Sequence, residues 1–433
     1  MRRCIALFIL LCFIAAESQY NYAWALTLEE ALALAKETVP AYRAVALKVK
    51  ATDALATASL GPYFPQIDAQ ASSTRHDIGP FFPDYSLTNY QLSGSWTLFD
   101  GGKRFANRQI ALLNLDNDGE ELRRTLINLE YNVKVAFYTA LSKRDSLQQR
   151  QLQLADAQRD YEIAQGRHKY GLVKLSDTLQ ASVRLDQAKY NVVTADGDLR
   201  KAVADLNSLV GYVLNAKPPL EGSLEFSSTM PVLSSLYEAA LQKPELKQAA
   251  DAIKIASFNR AVELSAFWPS VSADAGYLKT KGVMPGSLEI PEDRTVGVSL
   301  TWNIFEFGKF FRQKSAAIST EASEATLEET KRTLLLAVQK ADEDLVTAAS
   351  KIIVAREQLS QAEHNYNQAL GEYKIGKADI LSLVQAETLL SDARNQMIIS
   401  KLDVLTAKSQ LEQVAGVQEL EALPFEKGLQ VTD

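Results

Sequence analysis

Cysteine is almost missing from this chain: of 433 residues only Cys4 and Cys12 carry a thiol, and both stand at the very start. They fall in a segment that reads as a signal peptide over residues 1–25. Arg2 and Arg3 give its positive start, Ile5 to Ala16 its apolar core, too short for a membrane span, and Ala23-Trp24-Ala25 its A-x-A cleavage site. The exported protein is expected to begin near Leu26, with neither disulfides nor a thiol for lipid attachment. Histidine is nearly as scarce. His76, His168 and His364 have no metal-ligand spacing, and each reads as a solvated residue on a loop or helix face. Nucleophile motifs and Gly-rich phosphate loops are absent too, so no catalytic residue, no metal and no cofactor is expected. No window beyond the signal peptide approaches the roughly 18 apolar residues of a membrane helix, so any spanning falls to strands. Positive charge is also short. Without Arg2, Arg3 and Glu17 the chain keeps 44 basic and 52 acidic residues, a net charge of −8 that disfavours nucleic-acid binding.

What the chain does have is itself, twice. At an offset of 204 to 206 residues Pro40 meets Pro244, Phe64-Pro65 meets Trp268-Pro269, and WTLFDGGK (96–103) meets WNIFEFGK (302–309). Gly171 falls on Gly376, Gln180-Ala181 on Gln385-Ala386, and Leu209-Val210-Gly211 on Val414-Ala415-Gly416. The expected division is a first repeat over 26–211, a connection over 212–232, a second repeat over 233–416 and a tail over 417–433. A period so long excludes a solenoid.

Each copy opens with a short helical pattern (about 27 to 60 and 233 to 266), reaches an aromatic-proline step, and then alternates with period two. Strands are predicted at about 66–76 and 89–99, and again at about 270–280 and 294–305. Tyr90, Leu92, Gly94, Trp96 and Leu98 share one face while Gln91, Ser93, Ser95 and Thr97 share the other; Val296, Val298, Leu300, Trp302 and Ile304 repeat the apolar face. The stretches between, Asp77 to Thr88 and Lys279 to Asp293, read as exposed hairpin loops. Strands of about ten residues suit a tilted crossing of an outer membrane. The aromatics at their ends, Tyr63, Phe64, Trp96, Phe99, Phe267, Trp268, Trp302 and Phe305, suit its interface. Two hairpins on a soluble sheet are the plainer alternative.

Proline is absent from 103–217 and 309–423, and there the period turns helical. Leu122, Leu126, Leu129, Val133, Ala136 and Ala140 step by four and three, as do Leu327, Lys331, Leu334, Val338, Ala341 and Leu345. A helix from about 103 to 168 would be roughly 100 Å long. The pattern breaks at His168 to Leu172 and at Tyr373 to Lys377 and then resumes, predicting long antiparallel hairpins over about 103–209 and 309–414. Four membrane strands cannot close a barrel alone, and their edges would stay unpaired in lipid, so oligomerisation is forced.

The duplicated order helix, strand, strand, long hairpin resembles the TolC-type outer-membrane efflux family across essentially the whole exported chain. The strand-end WTLFDGGK and WNIFEFGK and the turns Tyr170-Gly171-Leu172 and Ile375-Gly376-Lys377 fit it too. The resemblance implies a mainly α fold with membrane β: a homotrimer with one 12-strand β-barrel, four strands per chain, continued by an α-helical periplasmic tunnel. It implies outer-membrane lipid around the barrel, and hairpin tips at Tyr170, Gly171, Leu172, Ile375, Gly376 and Lys377 that dock on a periplasmic adaptor and an inner-membrane transporter. The chain would then be a passive exit duct for efflux or type I secretion. The family narrows its periplasmic gate with carboxylates just after the second turn. Counting from Gly376, those positions hold Ser382 and Gln385, and the nearest acids are Asp379 and, in the first copy, Asp177, both read as helix N-caps. In the strand-to-helix turns Asp100 to Gly102 and Glu306 to Gly308, glycine is expected to supply backbone freedom. An adaptor-like or structural coiled-coil protein of the envelope is the rival reading, but it would not carry duplicated membrane-length strands.

Overall fold

The computed structural model describes residues 25–77, 84–226, 231–282 and 292–424. The signal peptide with its cysteines, most of both hairpin loops, part of the inter-repeat connection and the end of the tail lie outside the described residues. Two compact units divide the chain. One takes in the described parts of Met1–Arg43, Thr125–Gln242 and Leu334–Asp433; the other is formed by Ala44–Arg124 and Lys243–Thr333. Corresponding pieces of both repeats enter each unit.

In chain order the elements are α1 (Leu28–Thr38), α2 (Pro40–Ala58), β1 (Gln66–His76), β2 (Tyr85–Phe99), α3 (Lys103–Lys169), α4 (Leu175–Val210), α5 (Leu233–Ala240), α6 (Pro244–Ser265), β3 (Ser270–Lys281), β4 (Glu292–Thr301), α7 (Phe307–Lys374) and α8 (Ile380–Ala415). Helix and strand order repeats as expected. The helices α3 and α7, of 67 and 68 residues, owe their length to the missing prolines, and each has basic residues in its last turn, Arg167 and Lys169 in α3 and Lys374 in α7, that complement the helix dipole.

The strands form one antiparallel sheet in the order β1-β2-β3-β4. Two boundaries differ from the sequence reading. β2 starts at Tyr85 rather than near 89, because Ser86, Leu87 and Thr88 still pair with Arg75, Thr74 and Ser73. β4 spans Glu292–Thr301 rather than about 294–305: Thr301 pairs with Ser270, the first residue of β3, and Pro269 before it has no N–H to extend the ladder. Trp302 to Phe305 therefore lie beyond the strand. The register also shifts between Thr97 and Phe99, so Phe99 rather than Leu98 stands opposite Val271.

Register sorts the side chains by face. Ile67, Gly94, Ala275 and Val296 form one cross-strand row, with Ala69, Leu92 and Tyr277 beside it; Asp68, Ser93 and Gly276 begin the polar face. The apolar face is bare: Val296 is 90% exposed and Val298 71%. A sheet of this kind in water would bury that face on a core. Among the described residues nothing covers it, and β1 and β4 each keep an unpaired edge.

The helical unit builds equivalent cores in the two repeats. Val133, Phe137 and Leu141 of α3 pack with Leu206 and Val210 of α4 and Ala31 and Ala35 of α1. Val338, Ala341 and Leu345 of α7 pack with Val404 and Leu411 of α8 and Leu236 of α5. Alanine at the seam lets helices approach closely. A third cluster, Tyr366, Tyr373, Ile380, Leu383, Ala386 and Leu390, sits beside the second hairpin turn.

Candidate functional site

The residues expected to serve function fall in three places: the sheet-to-helix junctions, the hairpin turns and the helical segment just behind those turns. At the junctions the repeat is chemical as well as topological. Trp96 donates its indole N–H to the carbonyl of Tyr63 at 3.1 Å, and Trp302 donates to Phe267, also at 3.1 Å. Tyr63 and Phe267 are half-buried, whereas Phe64, Trp96, Phe99, Trp268, Trp302 and Phe305 are exposed. Exposed aromatic rings suit a membrane interface, above all Trp96, Trp268 and Trp302, whose indoles add a polar handle.

One cation in each junction ties strand end to helix start. Arg104 donates to the carbonyls of Thr97 (2.6 Å), Leu98 (3.1 Å) and Pro62 (3.2 Å) and pairs with Asp100 at 3.0 Å. Lys309, only 1% exposed, donates to Ala266 at 3.0 Å and to Asn303. Ala266 and Asn303 are the repeat equivalents of Pro62 and Thr97, so Lys309 does the work of Arg104, not that of the aligned Lys103. The two turns differ in consequence. Gly101 and Gly102 have φ of 65° and 90°, and a Cβ on Gly101 would lie 2.8 Å from the Ser265 carbonyl. Gly308 is already inside α7, with no left-handed φ, so the expected glycine turn exists in the first copy only.

Both hairpin turns close in the same way. Leu172 N–H reaches the Arg167 carbonyl at 2.9 Å and Gly171 N–H that of His168 at 2.8 Å; Lys377 reaches Glu372 at 2.9 Å and Gly376 reaches Tyr373 at 3.1 Å. With φ of 72° and 77° at Gly171 and Gly376, these are Schellman closures, and the glycines are helix caps first. The side chains around them face outward. Tyr170, Leu172 and Ile375 are 77%, 67% and 68% exposed, and Lys377 is exposed too.

Behind the second turn Asp379 is the N-cap of α8, accepting from Ser382 N–H at 2.9 Å and from the Ser382 hydroxyl at 2.8 Å. The Ser382 backbone bond chiefly holds its carboxyl below the usual range. Asp177 is not a cap: Lys174 holds that position in α4, and Asp177 sits in the first turn, where Ser176 donates to it at 3.1 Å. Ser382 and Gln385 are exposed on the chain, without charge. Among the described residues no group of three His, Cys, Asp or Glu side chains is placed to hold a metal ion.

The sequence profile of the outer membrane efflux protein family matches residues 31–212 and again 235–417. The chain belongs to that family. It is similar to protein CyaE of Bordetella pertussis, 25% identical over 405 residues that cover 90% of this chain and 84% of the relative. It is similar also to the alkaline protease secretion protein AprF of Pseudomonas aeruginosa, 24% identical over 358 residues covering 81% and 74%. Its fold matches that of CusC, solved in a study of folding and transmembrane channel formation, with a TM-score of 0.80 over 90% of this chain and 92% of that one at 18% identity. Members of this family are outer-membrane channels, and the bare apolar sheet face and open edges are what such a channel gives to lipid and to neighbouring copies.

In this channel protein the helices behind the turns hold a charge cluster that sequence reading passed over as solvated helix faces. Arg184 of α4 bridges to Glu387 of α8 at 2.8 Å, joining the two hairpins. Asp160 of α3, 7% exposed, lines the same cavity of about 10 Å³, room for about one water, and its Oδ2 has no hydrogen-bond partner among the described residues. Burial, reinforced by the charge of Asp156 and opposed by Arg184, pushes the Asp160 carboxyl up to about 6. Burial likewise pushes Glu387 up to about 7, against the pull of Arg184. Nearer the turn, Arg167 donates to the Tyr373 carbonyl at 2.6 Å with its guanidinium 4.9 Å from that tyrosine's ring centre. The signal available in sequence was the spacing Asp156, Asp160 on one helix face. It is indistinguishable from an ordinary solvated pair until the neighbouring hairpin covers it.

Proposed function

We propose that this channel is a homotrimer serving as the passive outer-membrane exit of an export machine. An inner-membrane transporter supplies the energy, a periplasmic adaptor joins it to the tips at Tyr170, Gly171, Leu172, Ile375, Gly376 and Lys377, and the chain itself does no chemistry. The observation that supports this reading best is the four-strand sheet with two open edges and an uncovered apolar face. Each unpaired backbone group left in lipid costs several kcal/mol, and closure with two further copies removes both edges.

The cargo we favour is a polypeptide, as in type I secretion. AprF, a secretion protein by name, aligns with 81% of this chain. A constriction at Ser382 and Gln385 without charge, with Asp379 held as a cap, would narrow the pore without a strong ionic filter. The test is deletion of the gene followed by comparison of proteins in the medium with and without complementation. Loss of one or more secreted polypeptides, restored by the wild-type chain and not by Leu172→Asp, is the expected result. Unchanged secretion with lost resistance to small toxic molecules would redirect the cargo to efflux.

A further inference from the structure

The sheet sorts its charges as sharply as its apolar residues. Along the paired rows the polar face carries Asp68, Asp274 and Asp293 and no lysine or arginine among the four strands. Every lysine and arginine of the sheet, Arg75, Lys279, Lys281 and Arg294, stands on the opposite, apolar face. All four lie toward the ends of the strands remote from the helices. Toward the helices that same face is uncharged, from the row of Ile67 and Val296 to that of Trp96 and Val298. Since the helices are the periplasmic part of such a channel, the basic rows look outward.

We propose that Arg75, Lys279, Lys281 and Arg294 form a collar that binds the phosphate groups of the phosphorylated glycolipid in the outer leaflet, the lipid A class. Lipid-facing cations in a barrel are costly at the midplane and tolerated near the interfaces, so their clustering at one end calls for an anionic partner there. Charge complementarity selects the outer leaflet, because the inner-leaflet end of the face offers aromatics and no lysine or arginine. Two tyrosines hold the cations: Lys281 Nζ lies 5.6 Å from the Tyr90 ring centre and the Arg294 guanidinium 5.8 Å from that of Tyr277. Two carboxylates compete. Glu292 lies 3.0 Å from Lys279 and 3.8 Å from Arg294, and Asp84 lies 2.8 Å from Arg75. These pairs are well exposed and therefore weak, and among the described residues of the four strands this face carries four cations and one carboxylate, Glu292, so it stays positive. A phosphate that meets two cations at once outcompetes a single exposed pair.

The test uses the purified trimer and native mass spectrometry. Wild type and the variant K279Q/K281Q/R294Q are titrated with bisphosphorylated lipid A, with dephosphorylated lipid A and with inorganic phosphate as competitor. Wild type is expected to hold the phosphorylated lipid at least about tenfold more tightly than the dephosphorylated one, the variant to lose that preference, and K279R/K281R to keep it. Equal retention by the glutamine variant, or equal binding of both lipids by wild type, overturns the proposal. Complete displacement by equimolar inorganic phosphate also overturns it, since the site would then recognise free phosphate rather than a membrane surface. The same spectra report assembly; if the triple variant does not form trimers, K281Q alone should lower retention two- to threefold, and unchanged retention in that variant contradicts the collar.

Discussion

The indole nitrogen of Trp302 lies 3.1 Å from the carbonyl oxygen of Phe267, and one repeat earlier Trp96 stands at the same distance from Tyr63. In both copies the residue that has just left or is about to leave the sheet fastens the incoming helix-to-strand step. The junction is thus pinned from both sides, by an indole bond and by the cation that gathers the loose carbonyls. Trp302→Phe and Trp96→Phe keep the ring and lose the bond, and each is expected to cost about 1 kcal/mol. Lys309→Met leaves two carbonyls without their buried donor and is expected to cost about 1–3 kcal/mol. Stepwise heating of the trimer before gel electrophoresis reads all three, with Lys309→Met dissociating at the lowest temperature.

At the hairpin turns, contact and closure can be separated. Leu172→Asp leaves the Schellman bonds untouched and should abolish export while trimer levels in the outer membrane stay normal. Gly376→Ala acts on the closure: it forces a side chain into φ of 77° and places a Cβ 3.3 Å from Arg167. A local cost of about 1–2 kcal/mol is expected. Hydrogen exchange at Tyr373 to Lys377 should rise in Gly376→Ala and stay at the wild-type level in Leu172→Asp.

Much of this architecture is legible in the sequence because its signals are long and repeated. Period two over Tyr90 to Trp96 and an unbroken helical period after Lys103 leave little choice of element, and the pair Gly171 and Gly376 marks both turns. Two kinds of feature escape. Ends depend on partners: Trp302 and Ile304 continue the alternation of β4, yet β3 has no residue left to pair with them. Roles depend on where each helix begins: Lys309 aligns with Lys103 by sequence, but it is the third residue of α7 while Lys103 is the first of α3, and the carbonyls Lys309 reaches correspond to those Arg104 reaches in the first copy. The trio of buried Asp160 with half-buried Arg184 and Glu387 comes from three helices, and no spacing within one of them announces it.

That trio makes the helical unit sensitive to acid in a definite direction. Asp160 at about 6 and Glu387 at about 7 hold protons more tightly in the folded chain than free carboxylates do. Stability they contribute is fully present below the ordinary carboxylate range and is lost as pH rises through 6 to 7. The contact between the hairpins should therefore tighten as pH falls from 8 to 5, opposite to a carboxylate stabilised by its ion pair. Hydrogen exchange of α4 and α8 around Arg184 and Glu387 at the two pH values measures this, and the double variant D160N/E387Q should shrink the difference.

At the constriction proposed at Ser382 and Gln385, these uncharged side chains would leave multivalent cations little to hold. In planar bilayers, cations such as hexamminecobalt added from the periplasmic side should block only weakly. Tight block that vanishes on Asp379→Asn and survives Ser382→Ala would place the carboxylate ring on Asp379. Asp379→Ala should in any case destabilise the start of α8 through the lost cap, read as faster hydrogen exchange in its first turn.

A role as an exit duct requires the four-strand sheet to be one third of a barrel. Native mass spectrometry of the detergent-solubilised protein measures that stoichiometry directly. Three chains in a single species, with no stable folded monomer on dilution, is the expected result. A monodisperse monomer that keeps its helix content would contradict it, because the exposed face of Val296 and Val298 and both open edges would then need some other cover.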